Sequence, residues 1–140
     1  MSADAPHPVA VSRGALHHVE LWVPDLTRAA RSWGWLLGEL GYTPYQQWPA
    51  GRSWRLGATY LVLEQSPALT GDRHERTAPG LNHLALHTGT PAQVDALMAA
   101  APAHGWSPLF AERYPHAGGP DCHAGYLADQ DGYEVELVAG

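Results

Sequence analysis

The chain has little that would commit it to chemistry through sulfur or through clustered positive charge. A single cysteine, Cys122, among 140 residues excludes an internal disulfide framework. Lysine is absent and the eight basic residues are scattered arginines, so no basic patch exists to bind nucleic acid or an anionic membrane. The formal charge of −6 points the same way. No apolar run approaches the ~18 residues that span a bilayer. The opening MSADAPHPVAVSRG lacks the charged-then-apolar build of a secretion signal, so a cytoplasmic location is expected. What is plentiful is histidine and tryptophan, nine and six residues respectively. Histidine is the commonest metal ligand among side chains and a ready acid or base.

With 45% hydrophobic residues, the length suits one domain with a real core. Residues 1–13, with Pro6 and Pro8, read as a loose tail, and 14–140 as a single domain. ALHHVELWV (15–23) reads as a strand. Asp25 is placed to cap a helix whose Leu26, Ala29, Ala30, Trp33, Leu36, Leu37 and Leu40 form one apolar stripe, ended by Gly41. YTPYQQW, SWRLG and TYLVLEQ follow as short strands, completing a βαβββ module over 14–65. SPALTGDRHERTAP (66–79) is polar and unpatterned and reads as a linker. The order then repeats over 80–140. GLNHLALHT is a strand, Thr90–Pro91 opens a weaker helix and Gly105 closes it. WSPLFAE, CHAGYLA and YEVELVA supply three strands, the last two joined at DQDG. LHHVEL at 16 matches LNHLAL at 81, so the second half looks like a copy of the first. The expected fold class is α+β, two tandem βαβββ modules forming a half-open barrel or cleft.

Alternation along a strand sorts the histidines. Val19, Leu21 and Val23, with His17, form the apolar set expected under the helix; His18, Glu20 and Trp22 face the other way. In the copy, Asn82, Leu84 and Leu86 face the helix, and His83, Ala85 and His87 face away. His18 and His83 become symmetry mates, while His17, whose mate is Asn82, reads as structural. Glu134 and Glu136 share the cavity side of the closing strand. Setting Glu64, late in LVLEQ, on Glu136 of EVELV makes the two symmetry mates, and a one-residue change of register would turn Glu64 away. Two imidazoles and one or two carboxylates suit Fe, Mn, Ni, Co or Zn. The candidate metal ligands are therefore His18, His83, Glu136 and Glu64. Glu20, Trp22, His87 and Trp54 are candidate pocket residues, and Tyr126 falls on the inward side of its strand with Cys122 and Ala124. Trp33 is the better core candidate of Trp33 and Trp35. His7, His74, His104 and His116 read as solvated.

HHVELWVPDL, GLNHLAL and YLADQDGYEVELV together resemble the opening, middle and closing segments of the vicinal oxygen chelate superfamily, which includes glyoxalases, bleomycin-resistance proteins and extradiol dioxygenases. The resemblance runs from about Leu16 to Ala139. It implies that His18, His83 and Glu136 hold a divalent metal, that Tyr126 stands beside it as an acid or base, and that Glu64 is the extra carboxylate of glyoxalase-like members. Gln130 stands where the family often has proline. Phosphonate-binding lysine or serine clusters are missing near the closing hairpin, which argues against fosfomycin modification.

Two functions are expected to compete. One is a metal-dependent enzyme acting on a small substrate with vicinal oxygens. With Glu64 bound, the His2Glu2 set suits lyase or isomerase chemistry, a displaced Glu64 serving as base. Without it, two histidines and one carboxylate leave room for dioxygen at Fe(II), as in ring-cleaving dioxygenases. The other is a binding protein that sequesters an aromatic antibiotic between Trp22, Tyr45, Trp48, Trp54, Tyr60 and Tyr126 without turnover. Either way the resemblance implies a homodimer, and the linker reaches far enough for the modules to pair within one chain or between two.

Overall fold

The computed structural model describes residues 11–140; most of the expected tail, with His7, lies outside the described residues. Module one comprises β1 (His18–Trp22), α1 (Leu26–Glu39), β2 (Thr43–Trp48), β3 (Gly51–Leu56) and β4 (Thr59–Glu64). Module two comprises β5 (Leu84–Gly89), α2 (Pro91–Ala100), β6 (Ser107–Leu109), β7 (Ala124–Ala128) and β8 (Glu134–Ala139). Each module forms its own four-stranded sheet, ordered β1-β4-β3-β2 and β5-β8-β7-β6. In both, the first strand pairs parallel with the last, a connection that needs the intervening helix. The expected βαβββ duplication is thus the architecture found, with open sheets rather than a closed barrel.

Local signals act where they stand. Asp25 Oδ1 accepts from Arg28 N at 3.0 Å and caps α1, and the chain leaves the helix at Gly41, whose φ of +94° suits glycine. Thr90 and Gln93 form a reciprocal capping box at α2, with Pro91 in the first turn. The second helix is shorter than its pattern suggested. Pro102 interrupts it, and Ala101–His104 continues as a 3-10 turn closed by Gly105. WSPLFAE yields only the three-residue β6, because Phe110 adopts a left-handed φ of +56° and starts another 3-10 turn.

The two modules share one core. The α1 stripe buries Ala29, Trp33, Leu36 and Leu37. Trp33 meets Trp106 of module two edge-to-face at 5.0 Å, and Trp106 Nε1 donates to the Ser32 carbonyl at 3.0 Å. Trp33 Nε1 donates to Asp129 Oδ2 at 2.9 Å. Arg28 pairs with the buried Asp131, and Tyr133 Oη donates to the Trp22 carbonyl at 2.7 Å. Trp35 stacks on His104 with ring centres 4.2 Å apart.

The linker is a docked segment rather than a spacer. His74 stacks on Tyr133 at 4.2 Å, its Nε2 lies 2.9 Å from the Leu81 carbonyl oxygen, and its backbone N–H donates to the Asp131 carbonyl at 2.8 Å. His74 is therefore half-buried, not solvated as expected. Gly132 opposite it has φ +92°, and a Cβ there would lie 2.3 Å from the His74 carbonyl oxygen.

On the outer side, Tyr114 donates to Asp95 of α2, and His123 Nε2 lies 2.9 Å from the same carboxylate oxygen. The Asp95 carboxyl is held below its ordinary value, first by the Tyr114 hydrogen bond and then by His123. Stabilisation from this contact is present above the ordinary aspartate pKa and fades as pH falls through the depressed one. In Tyr114→Phe the Asp95 carboxyl is expected to titrate closer to 3.8, the ordinary value, as followed by carboxyl-carbon NMR. An unmoved titration would remove Tyr114 as the cause.

Candidate functional site

The registers decide which side chains share a face. On sheet one, His18 stands opposite Tyr60, Glu20 opposite Val62 and Trp22 opposite Glu64. Val19 and Leu21 lie on the helix side with Leu61 and Leu63, as the alternation requires. His17 does not join them. It precedes β1, is exposed, and its Nδ1 lies 2.9 Å from His18 Nδ1. His18 stacks on Tyr60 at 4.8 Å, and Tyr60 meets Tyr45 at 5.3 Å. Glu20 accepts from Trp22 Nε1 at 2.7 Å, and both side chains are exposed.

Trp54 does not share the face of His18, Glu20 and Trp22. Opposite Leu61, it sits on the helix side, is buried, and lies so close under α1 that a Cβ on Gly34 would be 3.3 Å from its ring. Glu64 accepts from Trp48 Nε1 at 3.3 Å. It is four residues further along the sheet than the level of His18, about 13 Å at the usual strand rise.

On sheet two, Leu84 pairs with Val135 and Ala85 with Glu136, while Tyr126 of β7 pairs with Glu136 from the other side. His83, just before β5, reaches this face: its Nε2 lies 3.2 Å from Glu136 Oε1 and its Nδ1 3.9 Å from Glu134 Oε2. His87 shares the face but sits opposite Val138, with its Nδ1 3.0 Å from the Gly140 carbonyl oxygen, at the far end of the sheet. The Tyr126 phenol is pushed up to about 12, mainly by burial and then by the Glu136 charge and hydrogen bond. At neutral pH it is therefore a proton donor. Module two thus brings together His83, Glu136 and Tyr126.

Superposing the two parallel pairings matches Val19–Leu61 with Leu84–Val135. Val62, not Glu64, then occupies the position symmetric with Glu136. Glu64 is instead symmetric with Val138, so its assignment to the place of Glu136 is two residues out.

Several neighbours had no signal in the sequence reading. Arg76, from the linker, lies with Nη1 3.1 Å from Oε1 of the buried Glu134, without a well-aligned hydrogen bond. Phe110 packs edge-on against Tyr126 at 5.4 Å, with the Arg76 and Arg113 guanidiniums 5.7 and 4.9 Å from its ring centre. Gly118 approaches so closely that a Cβ would lie 3.0 Å from Tyr126 Oη and 3.6 Å from Glu136 Oε2.

The donor atoms test whether a divalent ion suits this place. Two donors each about 2.1 Å from one ion, at angles between square and tetrahedral, lie about 3.0–3.4 Å apart. The 3.2 Å between His83 Nε2 and Glu136 Oε1 falls in that range. These two residues fit two positions of such an ion. Among the described residues of one chain, however, no group of three or more His, Cys, Asp or Glu side chains is close enough to hold one. His18 contacts His17 and Tyr60 instead.

A duplicated βαβββ unit folded as two open four-stranded sheets defines a recognisable class. The model of the glyoxalase/bleomycin resistance protein/dioxygenase superfamily matches residues 17–126, and the chain belongs to this superfamily. Among its relatives, the protein YqjT of Bacillus subtilis (strain 168) is 44% identical over 126 residues, covering 89% of this chain and 98% of YqjT. A crystal structure of a provisionally assigned glyoxalase from Bacillus halodurans is 41% identical, covers 91% of this chain and 97% of its own, and superposes with a TM-score of 0.86. The lactoylglutathione lyase of Agrobacterium tumefaciens shares the fold at 21% identity, with a TM-score of 0.62 over 91% of this chain and 94% of its own. No helix among the described residues is long and apolar enough to cross a membrane.

Proposed function

We propose that the protein is a divalent-metal-dependent enzyme acting on a small substrate with vicinal oxygens, by lyase or isomerase chemistry or by oxidative ring cleavage. The observation that carries this reading is the 3.2 Å spacing of His83 Nε2 and Glu136 Oε1 with the Tyr126 ring 5.9 Å from that of His83. His18 is the third donor in the proposal. Since His18 does not meet the other two within one chain, the proposal includes a homodimer in which His18 of one copy faces His83 and Glu136 of the other. The exposed Trp22 and Tyr45 on the same module offer apolar surface for that contact.

The metal, when bound, supplies Lewis acidity towards the two substrate oxygens. Tyr126 holds a proton at Oη next to the reacting atoms, and Phe110 covers its ring. The Arg76 and Arg113 guanidiniums place positive charge at the rim. With Val62 opposite Glu20, module one offers no carboxylate at the position symmetric with Glu136. That favours the three-donor set over His2Glu2, while the relatives named as glyoxalases favour non-oxidative chemistry. Oxygen uptake and a yellow product from catechols, obtained only with Fe(II), support ring cleavage. Turnover of a 2-oxoaldehyde hemithioacetal with Ni, Zn, Co or Mn, independent of oxygen, supports the lyase or isomerase form. Purified protein that takes up no divalent ion overturns both.

A second reading rests on the aromatic run His18–Tyr60–Tyr45 on module one. It makes the protein a binder of flat aromatic molecules without turnover. A tight complex with an aromatic drug, formed equally well after chelation, would favour it.

A further inference from the structure

Asn82 stands between the linker and β5, and its carboxamide faces two groups. Its Nδ2 lies 3.0 Å from the Arg76 carbonyl oxygen. A carbonyl oxygen only accepts, so the end of the amide facing it must be the NH2 group. That fixes the other end as oxygen. Asn82 Oδ1 lies 2.7 Å from His83 Nδ1, so this ring nitrogen must carry hydrogen and donate. In a neutral imidazole the second nitrogen, Nε2, is then a bare lone pair, and it faces Glu136 Oε1 at 3.2 Å. Two lone pairs at that distance repel unless a metal cation lies against both or a second proton on Nε2 makes His83 an imidazolium that donates to Glu136.

The opposite tautomer would be comfortable without any cation, because Nε2–H would donate directly to Glu136. Asn82 works against that outcome. It is tied to backbone at one end, so it cannot rotate to offer His83 a donor without losing the Arg76 contact. The duplication repeats the motif: His17, the mate of Asn82, sets its Nδ1 2.9 Å from His18 Nδ1. One of those two nitrogens must donate, and if it is His18, its Nε2 is likewise left as a lone pair.

We infer that Asn82 is a positioning residue, tethered to the linker backbone, that holds His83 as the Nδ1-protonated tautomer and turns its Nε2 lone pair towards the cation position beside Glu136. The consequence for metal binding rests on the proposed metal centre, whereas the tautomer does not. Loss of such a partner weakens metal affinity by about 10–100-fold.

The test uses nitrogen-15-labelled full-length protein, freed of metal by chelation. Long-range proton–nitrogen spectra report which His83 nitrogen carries hydrogen, and calorimetry reports Zn2+ affinity. In wild type His83 is expected to be protonated at Nδ1. Asn82→Leu is expected to move the proton to Nε2 and to weaken Zn2+ binding about 10–100-fold. Asn82→Asp retains the acceptor and is expected to keep the wild-type tautomer. Protonation at Nε2 in wild type overturns the inference without needing any variant, as does an Asn82→Leu protein with unchanged tautomer and affinity. Wild type protonated at Nδ1 that binds no Zn2+ supports the positioning role and overturns the metal reading.

Discussion

Replacing His83 by alanine is expected to strip the protein of its divalent ion while leaving it folded. The imidazole is about one-third exposed and supports no core contact, so its removal should change the unfolding midpoint little. With Glu136 it forms the donor pair on which the proposed metal centre rests within one chain. Loss of a direct donor should weaken binding well beyond the about 10–100-fold typical of losing a residue that only orients one. Elemental analysis of wild type and His83→Ala, purified side by side, measures this. Equal metal content in the two proteins would show that the ion is held elsewhere. Glu136→Gln should behave similarly, because an amide is a poor ligand for such ions.

Replacing Trp33 by alanine is expected to have the largest effect on stability. Its ring is fully buried between the modules, and its indole nitrogen donates to Asp129, itself buried. Truncation of a buried aromatic costs about 3–5 kcal/mol. Leaving the Asp129 oxygen without its donor adds to that, about 1–3 kcal/mol for a buried acceptor. A loss of several kcal/mol approaches the whole stability of many domains. The thermal midpoint should fall by about 10–20 °C, read by circular dichroism. Trp33→Phe largely separates the two contributions, since it removes the donor and keeps much of the ring volume; loss of the donor should cost about 1–3 kcal/mol. Burial already raises the Asp129 carboxyl, and the Trp33 hydrogen bond holds it down. In the phenylalanine variant that carboxyl should rise further. A Trp33→Ala protein that melts with wild type would mean that the modules do not share the core described.

The sequence made some of this legible for definite physical reasons. The 3.6 and 2.0 periods, the Asp25 and Thr90 caps and the positive-φ Gly41 and Gly105 are local, so the helices and most strands could be read directly. The duplication was legible because both copies keep a histidine on the same side of the first strand. Strand register was not. A slip of one residue would expose the apolar face and betray itself, but a slip of two preserves every face. That is why Glu64 could be laid on Glu136 when the pairings put Val62 there.

Trp54 is a different case. In SWRL, Trp54 and Leu56 alternate with Ser53 and Arg55, and that alternation points Trp54 at the helix. Its aromatic character suggested a pocket, and burial against α1 was the stronger claim on it. Arg76 and Gly118 sit in segments with no periodicity, and tertiary docking alone brings them to Glu134 and Glu136. Asn82 was visible as the mate of His17, but its role emerges only once the Arg76 carbonyl is seen to fix its amide.

Anomalous diffraction from crystals grown with Ni2+ or Zn2+ tests the metal centre most directly. The expected map has one strong peak about 2.0–2.2 Å from both His83 Nε2 and Glu136 Oε1, with His18 of a second copy completing the set. A peak coordinated by other residues, or none near His83 at full metal loading, would contradict it.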